Sequence, residues 1–253
     1  MKKTLLFLAC LGSPWMAWGQ DAHQQLALRI IGRCNQLRLD KGLKPVAQLN
    51  YLVDAAQGHA QEMLRMGYFS HQSPTPGQER PKNRVEVSGG WDLSMAENLY
   101  RSLGVPENQL VEDVLQAWMN SPTHRDNLLN PKFNSMGIGI ARLGKDEWAI
   151  TQLLSLQSVA IESYQAQPSG SGYQVSLKAR VVEGPDHGGV FFQEKVVEHW
   201  QRQQFQSSFQ VPGPGKVMIG QKDQDGQYSI EVEFPIGARV AQPVRTEVPA
   251  TRP

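Results

Sequence analysis

The sequence predicts an α+β fold followed by a small all-β unit, and three observations lead to this prediction. Apolar residues recur at helical spacing through the first half of the chain. Two strongly apolar strand segments follow between Phe133 and Leu156. After Val159 the chain changes to short alternating segments divided by Gly- and Pro-rich turns. We therefore expect a sheet between helix layers at residues 22–157 and an immunoglobulin-like β-sandwich at residues 158–240.

The N-terminus has the pattern of a secretory signal peptide over residues 1–19. Two lysines precede an apolar run at 4–11, and Ala17 and Gly19 have the small-x-small spacing of a cleavage site. Cleavage after Gly19 predicts a secreted or periplasmic protein. Lipidation at Cys10 is the alternative, but it leaves a very short apolar run before the cysteine. The run is too short to cross a bilayer, and we expect no membrane span.

The charge of the chain argues against a nucleic-acid partner, and its cysteine content argues against an internal disulfide. The chain has 25 basic and 24 acidic residues, and because two of the lysines lie in the signal peptide, 23 basic residues remain after cleavage. This near-balance gives no electrostatic reason to expect a nucleic-acid partner. Cys34 is then the one cysteine in the sequence of the cleaved chain. We expect no internal disulfide and an inert, buried thiol on the apolar face of a helix.

Three longer helices and one short helix are expected in the first domain. Asp21 can cap the first helix, Asn50 can cap the second, and Gly67 is a typical C-terminal stop. Pro106 is suited to the start of the third helix. The buried stripe of the third helix is predicted to contain Leu110, Val111, Val114, Leu115 and Trp118.

The remaining segments are predicted to be loops, strands and a tail. Residues 72–90 are rich in Pro, Gly and charge, which is typical of a long loop bordering a site. In the sandwich, the aromatic residues Phe191, Phe192 and Trp200 are interpreted as core rather than as ligand contacts. Residues 241–253 contain three prolines and are interpreted as a flexible tail.

Three polar residues stand at the ends of predicted elements and form the candidate site: His71, Glu97 and His124. Ser121 and Pro122 suit the start of a short helix, which places His124 in its first turn, where protonation of the imidazole is disfavoured. Two imidazoles and one carboxylate are a typical set of metal ligands. The residues are far apart in sequence, so only the fold can bring them together. Unrelated surface groups are the alternative.

Several motifs in the same order and spacing resemble the CAP superfamily, which comprises cysteine-rich secretory proteins, antigen 5 and pathogenesis-related proteins. The resemblance covers about residues 22–157 and has the form typical of bacterial members. The same domain is also called the SCP-like domain. It does not cover the second domain. The motifs that carry it are Tyr68-Phe-Ser-His71, Ala96-Glu-Asn-Leu99, Ser121-Pro-Thr-His-Arg-Asp-Asn127 and Met136-Gly-Ile-Gly139.

The resemblance implies an α-β-α sandwich with a cleft in which His71, Glu97 and His124 meet. It also implies that the histidines can hold Zn²⁺ or another divalent metal, with Glu97 as a ligand or as a group that orients them. Some relatives bind sterols or other lipids, and protease activity has been suggested for a few. The sequence departs from many relatives because it has no disulfide framework and no second Glu after Trp118.

Three functions are compatible with these residues, and we favour binding over catalysis. The first is an exported binding module for a metal, small molecule, lipid or cell-envelope ligand, with the β-domain for interaction or spacing. The second is a metal-dependent hydrolase of peptide, cell-wall or lipid substrates, with Glu97 as a metal ligand or general base. The third is a polar network that closes the loop of residues 72–90 without turnover. No serine stands in a G-x-S-x-G motif, so a nucleophile is not evident.

Overall fold

The computed structural model describes the backbone of residues 14–237, and it describes side chains from residue 22 onwards. Most of the predicted signal peptide and the whole of the predicted tail at 241–253 lie outside these residues. Within the described range, no helix is long and apolar enough to cross a membrane.

The first domain contains five helices and four strands in the described residues. The helices are α1 (Pro14–Asp40), α2 (Asn50–Met66), α3 (Pro81–Val87), α4 (Glu107–Asn120) and α5 (Pro122–Leu128). The strands are β1 (Ala47–Gln48), β2 (Met95–Leu103), β3 (Ser135–Leu143) and β4 (Glu147–Ser155).

These strands form one sheet in the order β1-β3-β4-β2, with β2 at an edge. Helices α1 and α4 pack on one face through a cluster that contains Cys34 and Trp118. Helix α2 packs on the other face, where its alanines and Met63 contact strand residues. The predicted α-β-α sandwich is therefore confirmed, and the predicted stripe of α4 is buried.

Two glycines of β3 allow α2 to approach the sheet closely. A Cβ atom on Gly137 would lie 2.2 Å from the backbone carbon of Leu52, and one on Gly139 would lie 2.2 Å from that of Ala56. A side chain at either position would push α2 away from the sheet. The glycine face of β3 thus determines where the N-terminal half of α2 lies.

The structure corrects three local predictions. Helix α1 begins at Pro14, so Asp21 lies inside the helix and does not cap it. Asn50 is the first residue of α2, and Leu49 occupies the cap position without a side-chain hydrogen bond. The predicted loop at 72–90 contains α3, which begins at Pro81 and buries Arg84 and Val85. A helix of seven residues has too few turns to show an apolar stripe in the sequence.

The second domain is a sandwich of two antiparallel sheets. One sheet has the order β5-β6-β9 and the other has the order β11-β10-β7-β8. Its strands are β5 (Val159–Ser169), β6 (Gly172–Val181), β7 (His187–Phe192), β8 (Lys195–Gln201), β9 (Gln204–Val211), β10 (Gly215–Lys222) and β11 (Tyr228–Ile236).

The strand order supports the immunoglobulin-like prediction. The first, second and fifth strands share one sheet, and the third, sixth and seventh strands share the other, as in immunoglobulin domains. The fourth strand, β8, pairs with β7 in this chain. Phe191, Phe192 and Trp200 are all buried, in agreement with their interpretation as core residues.

The two domains meet through the segment that joins α3 to β2. The side chain of Trp91 belongs to the buried core of the sandwich, where its ring centroid lies 6.3 Å from that of Tyr164 and 6.0 Å from that of Phe234. The next residue, Asp92, forms an isolated β-bridge with Val232 of β11. The predicted domain boundary between 157 and 158 lies in the short link from β4 to β5.

Candidate functional site

His71, Glu97 and His124 come from three different elements. His71 lies in the turn after α2, Glu97 is on the edge strand β2, and His124 is in the first turn of α5. The side chain of Asn98, next to Glu97, donates a hydrogen bond of 2.9 Å to the backbone oxygen of His124. Asn127 of the same helix donates to the side-chain oxygen of Asn98 at 2.9 Å. These amide contacts hold α5 against β2.

A direct side-chain contact in the site joins His71 to Glu97. Nδ1 of His71 lies 2.8 Å from Oε1 of Glu97. Because a carboxylate can only accept a hydrogen bond, Nδ1 is the donor, and in the neutral ring Nε2 then keeps its lone pair. The His71 side chain is 57% exposed, whereas that of Glu97 is 2% exposed. A buried carboxylate thus orients an accessible imidazole.

The second oxygen of Glu97 is bound by Arg84 of α3. Nη2 of Arg84 lies 2.6 Å from Oε2 of Glu97, and both side chains are 2% exposed. The same guanidinium donates to backbone oxygens of His71, Gln78 and Glu79 at 3.1–3.4 Å. Arg84 therefore neutralises the buried carboxylate and fastens the turn that carries His71.

His124 lies near enough to His71 for the charge of one ring to affect the other. Burial lowers the pKa of His124, and the neighbouring His71 lowers it further. A lowered pKa keeps the His124 imidazole neutral at pH 7, which is the form that binds metals. The position in the first turn of α5 predicted the same direction, and in the structure desolvation is a larger cause than the charge of His71. Ser121 makes no side-chain cap hydrogen bond.

A second polar cluster lies beside the site and involves His59 and Glu62 of α2. Although burial raises the pKa of Glu62, hydrogen bonds from Thr75, Tyr68 and Ser73 lower it to about 2. Nε2 of His59 lies 2.9 Å from the backbone oxygen of Ser70. Burial lowers the pKa of His59, so this ring is a neutral donor in the core. The cluster secures the same turn from the α2 side.

The site residues do not form a preassembled ligand cage. Across the described part of the chain, no group of three or more His, Cys, Asp or Glu side chains is arranged to hold a metal ion. Both oxygens of Glu97 are already bound by His71 and Arg84. The geometry therefore presents two imidazoles, with the carboxylate behind one of them.

Arg84 is the site residue that the sequence analysis missed. It stands in a stretch with Arg80, Lys82 and Glu86, where charged residues suggest a solvated loop. The available signals were Pro81, which is suited to the first position of a helix, and Val85, an apolar residue next to Arg84. Burial of an arginine cannot be inferred from either signal, because it depends on a partner in a distant strand.

Comparison with known proteins identifies the first domain. The model of the cysteine-rich secretory protein family, CAP, matches residues 31–154. This region is a CAP domain of the bacterial type. His71, Glu97 and His124 lie on the motifs that carry the resemblance.

The sequence similarity to the curated relatives covers less than half of each relative. The chain is similar to the uncharacterized protein YkwD of Bacillus subtilis (strain 168), with 34% identity over 46% of this chain and 42% of the relative. It is also similar to the uncharacterized membrane protein YlbC of the same organism, with 31% identity over 45% of this chain and 31% of the relative. The chain thus spans less than half the length of either protein.

Among solved structures, the chain is similar to an extracellular protein containing a SCP domain from Bacillus anthracis. The identity is 28%, the TM-score is 0.45, and the match covers 53% of this chain and 41% of the other.

Proposed function

We propose that the chain is an exported binding protein whose CAP cleft holds a divalent metal between His71 and His124. Glu97 orients His71 in this proposal and is not itself a ligand. The observation that carries the proposal is the 2.8 Å contact between Nδ1 of His71 and Glu97. Histidines that bind metals almost always donate the N–H of their other ring nitrogen to a carboxylate, a backbone carbonyl or water, and here the acceptor is a carboxylate.

The residues fit a two-histidine site. In its neutral form the exposed His71 ring keeps a lone pair on Nε2, and the lowered pKa of His124 favours the neutral form of that ring. Zn²⁺ accepts imidazole nitrogen readily and is usually four-coordinate. Two protein ligands leave positions open for water or for a donor atom of a ligand. When bound, the metal would supply Lewis acidity and an anchor for such an atom.

The ligand class that we propose is a small molecule, a lipid or a component of the cell envelope. Export by the predicted signal peptide at 1–19 would bring the protein to a compartment where such ligands occur. The near-balance of charge in the sequence gives no support for a nucleic-acid ligand. The β-domain is proposed to serve interaction or spacing.

Hydrolysis is supported less well by the same geometry. A metal-dependent hydrolase would need Glu97 as a ligand or as a general base for a bound water. Both oxygens of Glu97 are engaged, one by His71 and one by the buried Arg84. The carboxylate is therefore committed to holding His71, which suits a binding site better than a proton-transfer site.

Calorimetric titration of the purified protein with Zn²⁺ tests the proposal. Wild type should bind, and His71→Ala or His124→Ala should each weaken binding by more than tenfold. Binding should also weaken below about pH 6, as imidazoles protonate. His187→Ala, at an exposed histidine of the β-domain, is the matched control and should leave the affinity unchanged. Equal Zn²⁺ affinity in wild type and the three variants would show that His71 and His124 do not form the metal site.

A further inference from the structure

We propose that Arg84 is a positioning residue for the His71–Glu97 pair and that the β-domain holds Arg84 in place through Trp91. The β-domain would then be part of the scaffold of the cleft. This proposal concerns the same site as the proposed function. It rests on the proposed metal binding only for the Zn²⁺ affinity measurement and not for the His71 spectrum. The physical basis is a continuous series of contacts from the sandwich core to His71, with Trp91 and Arg84 buried at its two ends.

The first step of the series is Arg84 itself. Its guanidinium reaches Glu97 at 2.6 Å and the backbone oxygen of His71 at 3.3 Å. One side chain thereby fixes both partners of the His71–Glu97 hydrogen bond. Because the ion pair is buried on both sides, a small displacement of Arg84 would leave a desolvated carboxylate without its cation.

The second step is the tight connection from α3 to Trp91. The backbone N–H of Ser88 donates to the oxygen of Arg84 at 3.1 Å, and that of Gly90 donates to the oxygen of Val85 at 2.9 Å. A Cβ on Gly90 would lie 2.3 Å from the ring of Tyr51 and 2.7 Å from the side chain of Val85. The backbone at Gly90 is therefore wedged between two side chains and leaves little room for movement.

The third step is the insertion of Trp91 into the other domain. Trp91 is 6% exposed and packs with Tyr164 and Phe234 in the sandwich core. Only six residues separate it in sequence from Arg84. A change in the sandwich core at Trp91 is therefore transmitted to α3, because the link between them is short and hydrogen-bonded.

The experiment compares two buried tryptophans of the same core. Trp91→Ala removes the contact that reaches the CAP domain, whereas Trp200→Ala removes a tryptophan stacked on Phe205 at a centroid distance of 4.5 Å. Trp91→Leu retains apolar volume and serves if Trp91→Ala does not fold. The probes are Zn²⁺ affinity and the imidazole ¹H–¹⁵N spectrum of metal-free protein, with the His71 signal assigned by His71→Gln.

We expect Trp91→Ala or Trp91→Leu to weaken Zn²⁺ binding by about threefold to tenfold, in the range of coupling through packed contacts. Both should also shift the His71 ring signal. Trp200→Ala should change neither readout in the folded protein. If both tryptophan positions act alike, or if the Trp91 variants leave His71 unchanged, the coupling is wrong. If wild type binds no Zn²⁺ but the His71 signal still responds selectively to Trp91, the coupling stands and the metal proposal fails.

Arg84 is tested by rescue. Arg84→Met should weaken Zn²⁺ binding by about tenfold or more, as expected for loss of a group that orients a metal ligand. Arg84→Lys keeps the cation and should recover part of the affinity and of the His71 signal. In an Arg84→Met background, Trp91→Leu should have no further effect on either readout. Additive effects of the two substitutions would show that Trp91 does not act through Arg84.

Discussion

Two buried carboxylates lie near each other on one stretch of chain, and their environments differ. Glu97 is paired with the guanidinium of Arg84 and holds His71 with its other oxygen. Asp92 is 3% exposed and accepts hydrogen bonds from the hydroxyls of Tyr51 at 2.6 Å and Ser155 at 2.7 Å. Among the side chains that the structure describes, no cation forms a salt bridge with Asp92.

Asp92 and Glu97 have different roles because only Glu97 is paired with a cation. Burial raises the pKa of Asp92 to about 6, and the hydroxyl donors offset this only in part. Asp92 is therefore an acid of the domain junction that titrates close to neutral pH. Glu97 has the Arg84 cation within the same buried space and uses its other oxygen to orient the His71 imidazole. The pairing with Arg84 therefore distinguishes Glu97, a carboxylate of the site, from Asp92, a carboxylate of the domain junction.

The largest expected effect is loss of that arginine. Arg84→Met leaves the Glu97 carboxylate buried without its cation, and we expect a loss of about 3–5 kcal/mol in the free energy of unfolding. Urea unfolding measures this loss. The Arg84→Met/Glu97→Gln double variant should recover a substantial part of it, because both buried charges are then removed. A double variant no more stable than Arg84→Met would contradict the assignment of the cost to an unpaired charge.

A smaller effect, with the opposite sign, is expected at Asp92. Because its folded pKa lies above the unfolded value of about 3.9, the carboxylate destabilises the folded state above about pH 6. This cost disappears as the pH falls towards the unfolded value. Lowering the pH from 7.5 to 5 should therefore gain on the order of 1 kcal/mol from this group.

Asp92→Asn should remove that pH-dependent gain while keeping an oxygen acceptor for Tyr51 and Ser155. Unfolding by urea at pH 5, 6 and 7.5 in both proteins isolates the contribution of Asp92, since other groups titrate alike in the pair. A wild type and a variant with the same pH slope would show that Asp92 does not titrate in this range.

The smallest effect is expected when one donor to Asp92 is deleted. Tyr51→Phe removes the hydroxyl at 2.6 Å and should cost about 0.5–1.5 kcal/mol at pH 7.5. It should also move the pH transition upward, because the hydrogen bond favours the charged form of Asp92. Tyr100→Phe deletes a comparable hydrogen bond to Asp113 and serves as the control. An identical shift of the transition in both variants would disprove the local role of Tyr51.

The sequence predicted the layers of the fold because they depend on periodicity. The stripes of α2 and α4, the alternation of β3 and the strand pattern of the sandwich all follow from which face is buried. The start of α1 was predicted eight residues too late, since a cap at Asp21 implies a first helical residue at 22 and the helix begins at Pro14. A capping residue shows where a helix can begin, but an uninterrupted helical segment can extend past it.

The site was predicted only in part. His71, Glu97 and His124 were selected by type, position and resemblance, and the structure places them around one edge strand and its neighbouring helix. Arg84 could not be selected, because the reason for its burial is a carboxylate on β2. The contribution of Trp91 to the other domain was also missed, since an apolar side chain gives no indication of which core it enters.

The single thiol of the described chain offers a means to follow the opening of the first domain. Cys34 is fully buried between α1 and the sheet, and burial raises its pKa to about 12. A thiol reagent can therefore react only when α1 separates from the sheet, because both access and thiolate formation require that opening. The labelling rate of Cys34 therefore reports the opening of the CAP domain where α1 covers the sheet. In an oxidising compartment the same burial prevents the thiol from linking two chains.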